Sequence, residues 1–239
     1  MKHEEIDKYG ISTLEAISQA AAFNEWMYDT IAPFCSGKII ELGSGIGNIS
    51  TFFIRDKKDI VLSDLRDNYR QYLMDKFHLP EPNVRSVDMV HENFEKEYVD
   101  LLGQFDTVFA LNVVEHIEDH HLAMRNAAKL LKKNGNLIIL VPAYQWLYNA
   151  FDRELGHYRR FTKRTLSLYI PNNVDLVKMS YFNFAGIPGW FVSGSILKKE
   201  EISPNAMRLF NRALPIVKLI DFILFKKIGL SVWFVARKK

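Results

Sequence analysis

The sequence has one cysteine, Cys35, so an intramolecular disulfide is excluded and a reducing compartment suits the chain. A lone cysteine after Phe34 reads as a small apolar filler. There is little excess charge of either sign. Lys and Arg number 31 against 28 Asp and Glu, and a net +3 calls for no nucleic-acid partner. No stretch reaches the roughly 18 uncharged apolar residues of a membrane-spanning helix. Met1–Gly10 lacks the apolar core of an export signal, so a cytoplasmic location is expected. Internal repeats and low-complexity tracts are missing too. What remains is an ordinary globular composition, 48% hydrophobic and 25% charged. Its 239 residues suit one large α/β domain with appendages, 1–239.

Apolar runs alternate with helical patterns. Residues 11–32 contain no Gly or Pro and read as one helix stopped by Pro33. Lys38–Leu42 is a short buried strand, followed by glycines and a helix from about Asn48 with Ile49, Phe52 and Phe53 inward. Further strands are expected at Asp59–Leu62, Val84–Val87, Phe105–Leu111 and Leu137–Val141. Helices are expected at Asn68–Lys76 and Ile117–Leu131, with a turn at Lys133–Asn136. Thr162–Ile170 is helical with Thr162 as N-cap, and Val177–Phe184 and Ser231–Arg237 are two late strands. The long segment 185–229 between them holds an apolar helix candidate, Met207–Phe225. The fold class is α/β, a Rossmann-like sheet of seven mostly parallel strands with helices on both faces.

The central signal is Glu41-Leu42-Gly43-Ser44-Gly45-Ile46-Gly47, a glycine turn between strand and helix. Such a turn lets a ligand approach the backbone, and the helix beyond it favours a negative group. A nicotinamide-binding fingerprint needs its third glycine one residue later, where Asn48 stands. Asp64 closes the second strand, placed to accept both hydroxyls of a ribose. Asp88 closes the third, and the run Phe105–Ile117 contains Asn112-Val113-Val114-Glu115-His116.

In order and spacing, residues 37–143 resemble the class I S-adenosylmethionine-dependent methyltransferases, in particular those acting on small molecules. The resemblance implies S-adenosylmethionine as cofactor. It assigns Glu41, Gly43, Ser44, Gly45 and Gly47 to the first motif, and Asp64 and Leu65 to the ribose. Asp88 and Met89 fall at the adenine, and Asn112, Val113 and His116 under the methionine part. It also implies an N-terminal helical lid, residues 1–36, whose Phe23, Trp26, Met27 and Tyr28 either cover the cofactor or pack as an ordinary aromatic face. Competing expectations are a nicotinamide-dependent oxidoreductase, disfavoured by the glycine spacing, and a catalytically idle binding subunit, disfavoured by the intact loop with Asp64 and Asp88. The Asn/Asp-Pro-Pro-aromatic motif for methylating base amino groups is absent after the fourth strand.

The acceptor side is expected in 144–161, a connector crowded with aromatic and charged residues. The acceptor is expected to be a small molecule, methylated at oxygen, hydrophobic or lipid-linked. An oxygen nucleophile of high pKa needs a base, and His157 is the titratable candidate. Arg159 and Arg160 are candidates to clamp an anionic group, with Tyr148 and Trp26 beside the acceptor. The alternative is that His157 and the arginines form structural bonds with Asp152 and Glu154. His116 and His120 have helical i,i+4 spacing, but no glutamate follows His116, so no metal site is expected. Within the candidate 207–225, the helix Leu209–Phe225, flanked by Arg208 and Lys226-Lys227, suits either lipid contact at a membrane surface or packing against protein.

Overall fold

Two short strands, each with three branched apolar residues and one polar residue, lie side by side in the sheet: β1, Ile39–Leu42, and β2, Ile60–Ser63, buried along their whole length. Strands covered on both faces lose the polar alternation of a half-exposed sheet. The computed structural model describes residues 7–199, 203–223 and 227–239. The strands that follow are β3 (Val84–Arg85), β4 (Phe105–Leu111), β5 (Leu131–Pro142), β6 (Val174–Phe182) and β7 (Ser231–Lys238). They form one sheet in the order β3-β2-β1-β4-β5-β7-β6. Pairing is parallel from β3 through β5, and β7 runs antiparallel to both β5 and β6. The pleat splits neighbouring residues between two cores. Ile40 and Val108 belong to one, Ile39 and Phe109 to the other.

The helices are α1 (Asp7–Ser18), α2 (Ala21–Ile31), α3 (Ser50–Arg55), α4 (Asp67–Phe77), α5 (Phe94–Glu97) and α6 (His120–Lys129). After β5 come α7 (Ala150–Glu154), α8 (Lys163–Ser167), α9 (Gly186–Trp190) and α10 (Pro204–Ile223), with a π-helical turn over Phe191–Ile196.

Several boundaries differ from those expected. The single helix expected over 11–32 is two, because the chain breaks at Gln19-Ala20. The Asn24 side chain takes up the carbonyl of Ile17 at 3.1 Å, a bond no propensity scale anticipates. The helix expected from Ile117 begins at His120, with Asp119 capping the Leu122 amide at 2.9 Å. Val114–His116 is a 3-10 turn instead, so His116 and His120 do not share a helix face. The turn expected at Lys133–Asn136 is an irregularity inside β5, with Asn134 at φ 65° and a register shift against β4. β6 starts three residues early and stops at Phe182, because Asn183 turns to φ 63°. Thr162 does cap α8, in a reciprocal pair with Thr165. Cys35 is buried and unpaired, and burial pushes its thiol up to about 12. Of the segments expected from the sequence, residues 1–6 of the lid, the helix end at Phe225 and its flanking Lys226 lie outside the described residues.

Candidate active site

A cleft of about 1840 Å³ opens along the carboxyl ends of β1, β2 and β4, where open parallel sheets bind ligands. Its floor is the turn after β1. Gly43 and Gly45 both have positive φ and both line it. A Cβ on Gly43 would stand 2.5 Å from Val113, so glycine lets the β1 and β4 turns touch. Gly47, at φ 75°, plays a different part from its neighbours. Its Cα faces α4, where a Cβ would meet Phe77 at 2.6 Å, and it does not line the cleft. Helix α1 sits on this turn: Leu14 approaches Gly45, and the Asn48 side chain donates to the Leu14 carbonyl at 3.0 Å.

Three carboxyl groups have distinct settings here. Glu41 is buried, accepts from the Ser50 hydroxyl, and is pushed up to about 7 by burial. Asp64 accepts from the amides of Gly45 and Arg66, both at 3.0 Å, and burial raises its carboxyl against those bonds. Each of its oxygens keeps acceptor capacity toward the cleft. Asp88 accepts from the Val90 amide at 2.9 Å, while its own amide donates to the Tyr98 hydroxyl at 2.8 Å. Leu65, Met89, Asn112, Val113 and His116 line the same space, as does Ser44. The fold therefore gathers every residue assigned to the cofactor by resemblance except Gly47.

The acceptor side is more selective. The 144–161 segment is pinned at both ends: the Tyr144 amide donates to Phe161 at 2.7 Å and the Phe161 amide to Pro142 at 2.9 Å. Within it, His157 Nδ1 lies 2.7 Å from Asp152 Oδ1, and Arg160 Nε donates to that same oxygen at 2.8 Å. Asp152 is fully buried. Its burial opposes ionisation, but His157 and Arg160 hold its carboxyl below the usual range. The Arg160 guanidinium also donates to the Ala143 carbonyl at 3.1 Å and lies 4.6 Å from the Trp190 ring centre. With Nδ1 as the donor to the carboxylate, Nε2 is the ring nitrogen left to face another partner. His157 lines the cleft, and Nε2 is 4.0 Å from Glu115.

Glu115 is a site residue that the sequence did not single out. It lies in the run after β4, is fully buried, and both of its side-chain oxygens lack a hydrogen-bond partner. Burial pushes its carboxyl up to about 8. His116 projects into the open cleft, and the surrounding protein and His157 hold its imidazole toward the neutral form. Glu115, His116 and His157 bring ligand atoms within 4.8 Å of one another, the one such metal-ligating group among the described residues. The His116 and His120 pair does not assemble: His120 packs against the Tyr169 ring, as does its neighbour His121.

Three residues expected at the acceptor are elsewhere. Trp26 is buried with its ring 4.2 Å from Phe182 and does not line the cleft, because α2 turns it toward the sheet. Tyr148 donates its hydroxyl to the His157 carbonyl at 2.8 Å, so it braces the loop from behind. Arg159 is exposed and donates to the Tyr169 hydroxyl at 2.9 Å. Adjacent arginines in an extended segment point to opposite sides, so the expected two-arginine clamp does not form and Arg160 alone reaches the cleft.

The fold and cleft define a class I methyltransferase architecture, and the comparisons with known proteins agree. A family model described as "Methyltransferase domain" matches residues 18–187. The chain belongs to this methyltransferase-domain family. Among curated proteins it is similar to the ubiquinone biosynthesis O-methyltransferase of Escherichia coli O6:H1, 26% identical over 166 residues. That match covers 68% of this chain and 63% of the relative. Against the same enzyme of strain O127:H6 the match covers 40% of the relative, so the chain spans less than two thirds of these relatives' length. Among solved structures, a SAM-dependent methyltransferase from Archaeoglobus fulgidus superposes with TM-score 0.58 at 15% identity, covering 90% of this chain and 94% of that one. Geranyl diphosphate C-methyltransferase from Streptomyces coelicolor A3(2) gives TM-score 0.60 at 10% identity, covering 90% and 76%. Both structures share the fold.

Proposed function

We propose that this enzyme methylates an oxygen atom of a small, largely apolar acceptor, with His157 as the general base. The observation that carries this reading is the Asp152–His157 pair at 2.7 Å on the cleft wall, an arrangement that orients the ring for proton transfer at Nε2. The alternative of an idle binding subunit has no use for such a pair.

The cofactor's place follows from the groups along the sheet edge. In this reading Asp64 accepts from the ribose hydroxyls, Asp88 from the adenine amino group with Met89 against the ring, and Asn112, Val113 and His116 border the methionine part. The Gly43–Gly45 backbone leaves room for the chain between them. Helix α1, seated on that turn through Leu14 and Asn48, serves as the lid. When bound, the cofactor supplies an electrophilic methyl group on a sulfonium. The protein's task is to hold the acceptor oxygen in line with it, exclude water and take one proton. As the acceptor oxygen bonds to the methyl carbon, the carbon–sulfur bond breaks to leave a thioether, and His157 Nε2 takes the proton that oxygen loses. Asp152 then faces an imidazolium instead of a neutral ring, and the charge pair it forms offsets the cost of protonating a buried base. Arg160 keeps Asp152 ionised and fixed. O-methylation agrees with the name of the curated relatives, and the apolar acceptor with Phe151, Leu155, Trp190 and Phe210 in the lining.

The test has two arms. Calorimetric titration with S-adenosylmethionine, S-adenosylhomocysteine and NADH is expected to show binding of the first two only. Methyl-labelled cofactor is then offered with phenols, carboxylic acids and amines carrying alkyl tails of increasing length. Transfer is expected to the phenols, rising with tail length, and is expected to collapse in His157→Gln while cofactor affinity holds. Transfer only to carboxylic acids, which need no base, or full turnover in His157→Gln overturns the base assignment.

A further inference from the structure

The segment between β6 and β7 has two apolar sides. Its inner side belongs to the cleft: Trp190 and Ser193 from α9 and the π-helical turn, Met207 and Phe210 from α10. On α10 the stripe Phe210, Leu214, Val217, Asp221 recurs every three to four residues and packs inward, with Leu214 and Val217 in the core. A helix with one core face ordinarily presents a polar face to water. Helix α10 instead presents Leu209, Ile216, Leu219, Phe222 and Ile223, each between 57% and 73% exposed. The preceding turn adds Phe191, Val192, Ile196 and Leu197, between 40% and 61% exposed. An exposed apolar area of this extent marks a surface built to meet something.

Charge says what that is. The exposed charged side chains of α10 are Arg208 and Arg212, both basic. The only acid in α10, Asp221, is buried and accepts from the amides of Asn183 at 2.8 Å and Phe184 at 2.6 Å. Lys218 sits at the margin and pairs with Asp29 at 3.8 Å. Large apolar residues in a cationic frame, with the acid turned inward, suit an interface whose headgroups are anionic and whose interior is hydrocarbon. Among the described residues no helix is long and apolar enough to cross a membrane, so α10 would lie along the surface.

We infer that the outer face of α10, with the Phe191–Leu197 turn, docks on the surface of an anionic lipid bilayer. Helix α10 then stands between bilayer and cleft, and an apolar acceptor dissolved in the lipid enters past Met207 and Phe210 without crossing water. The docking itself stands on the surface chemistry and not on the methyl-transfer reading, and its experiment reads binding alone.

The full chain is floated with phosphatidylcholine vesicles and with vesicles containing phosphatidylglycerol, at low and high salt, alongside sedimentation velocity without lipid. Expected are flotation with the anionic vesicles only, weakening with salt, and a loss of more than about tenfold in Arg208→Glu/Arg212→Glu. Ile216→Glu/Phe222→Glu is expected to lose binding at any salt. Both variants should keep the wild-type affinity for S-adenosylmethionine, which shows they are folded and separates this question from cofactor binding. No flotation with anionic vesicles, or flotation that neither variant weakens, overturns the inference. So does a lipid-free dimer that Ile216→Glu/Phe222→Glu dissolves, since a second copy would then cover the face.

Discussion

The two halves of the cleft are built differently. On the cofactor side, three candidate groups sit where a strand ends, so the sheet register fixes their positions: Gly43 after β1, Asp64 after β2, Asn112 after β4. On the acceptor side, position comes from side chains bonding to side chains. Asp152 gathers His157, Arg160 and the Asn149 amide, and Tyr148 and Trp190 brace them from outside. A site drawn on strand ends keeps its shape when a side chain changes. A site drawn on a buried ionic network loses shape and stability together.

That contrast can be broken at four points. The largest effect is expected from Asp152→Ala, which strands the buried Arg160 charge. Breaking a buried pair costs about 3–5 kcal/mol, read as a lower midpoint in urea denaturation, with turnover lost as well. Unchanged stability would mean that the loop is held without its network. Next, Asp64→Ala is expected to weaken cofactor binding by roughly 1–3 kcal/mol in calorimetry with the urea midpoint preserved. A large stability loss there would erase the distinction between the halves.

A smaller effect lies in the pH dependence of stability. Folding lifts Glu115 from an ordinary carboxyl value to about 8, so the folded chain binds an extra proton between those limits. The sign follows: stability is fully present at and below the ordinary carboxyl pKa and is lost as pH rises toward 8. The slope is at most about 1.4 kcal/mol per pH unit. Glu115→Gln is expected to flatten this part of the melting-temperature profile. A profile identical to wild type would remove Glu115 as its source. Chelator added to the same enzyme sharpens the point. Turnover is expected to persist, whereas loss restored by a divalent cation would make Glu115, His116 and His157 ligands. The smallest effect is expected from Arg159→Ala, within about 0.5 kcal/mol of wild-type stability and with unaltered KM, because its guanidinium reaches only Tyr169.

The same contrast explains what could be read from the residues alone. Strands β1, β2 and β4 are mostly apolar runs closed by a glycine or polar residue, so their ends, and the groups on them, are visible within a residue or two. Thr162 announced its helix because a cap is a local device. Trp26 was misplaced because a helical stripe gives a face and not the neighbour that face meets; here the neighbour is Phe182, far off in sequence. Arg159 and Arg160 look equivalent in a row, and only the pinning of Phe161 to β5 decides which one turns inward. Glu115 went unremarked because nothing in Val-Val-Glu-His-Ile betrays that the carboxyl is sealed from water. The spacing of Asp152, His157 and Arg160 was the available signal, and its meaning depended on a helical turn bringing the three together.

The placing of β7 bears on how the chain is made. This strand wedges between β5 and β6, both synthesised before it, and bonds to each along its length. At roughly 5–20 residues per second, the ribosome leaves the far edge of β5 bare for seconds while 143–230 emerges. Over that interval Leu137–Val141, wholly apolar, is an unpaired strand open to any passing partner. Nascent chains stalled before Ser231 should therefore engage chaperones, and release of the last strand should end that engagement.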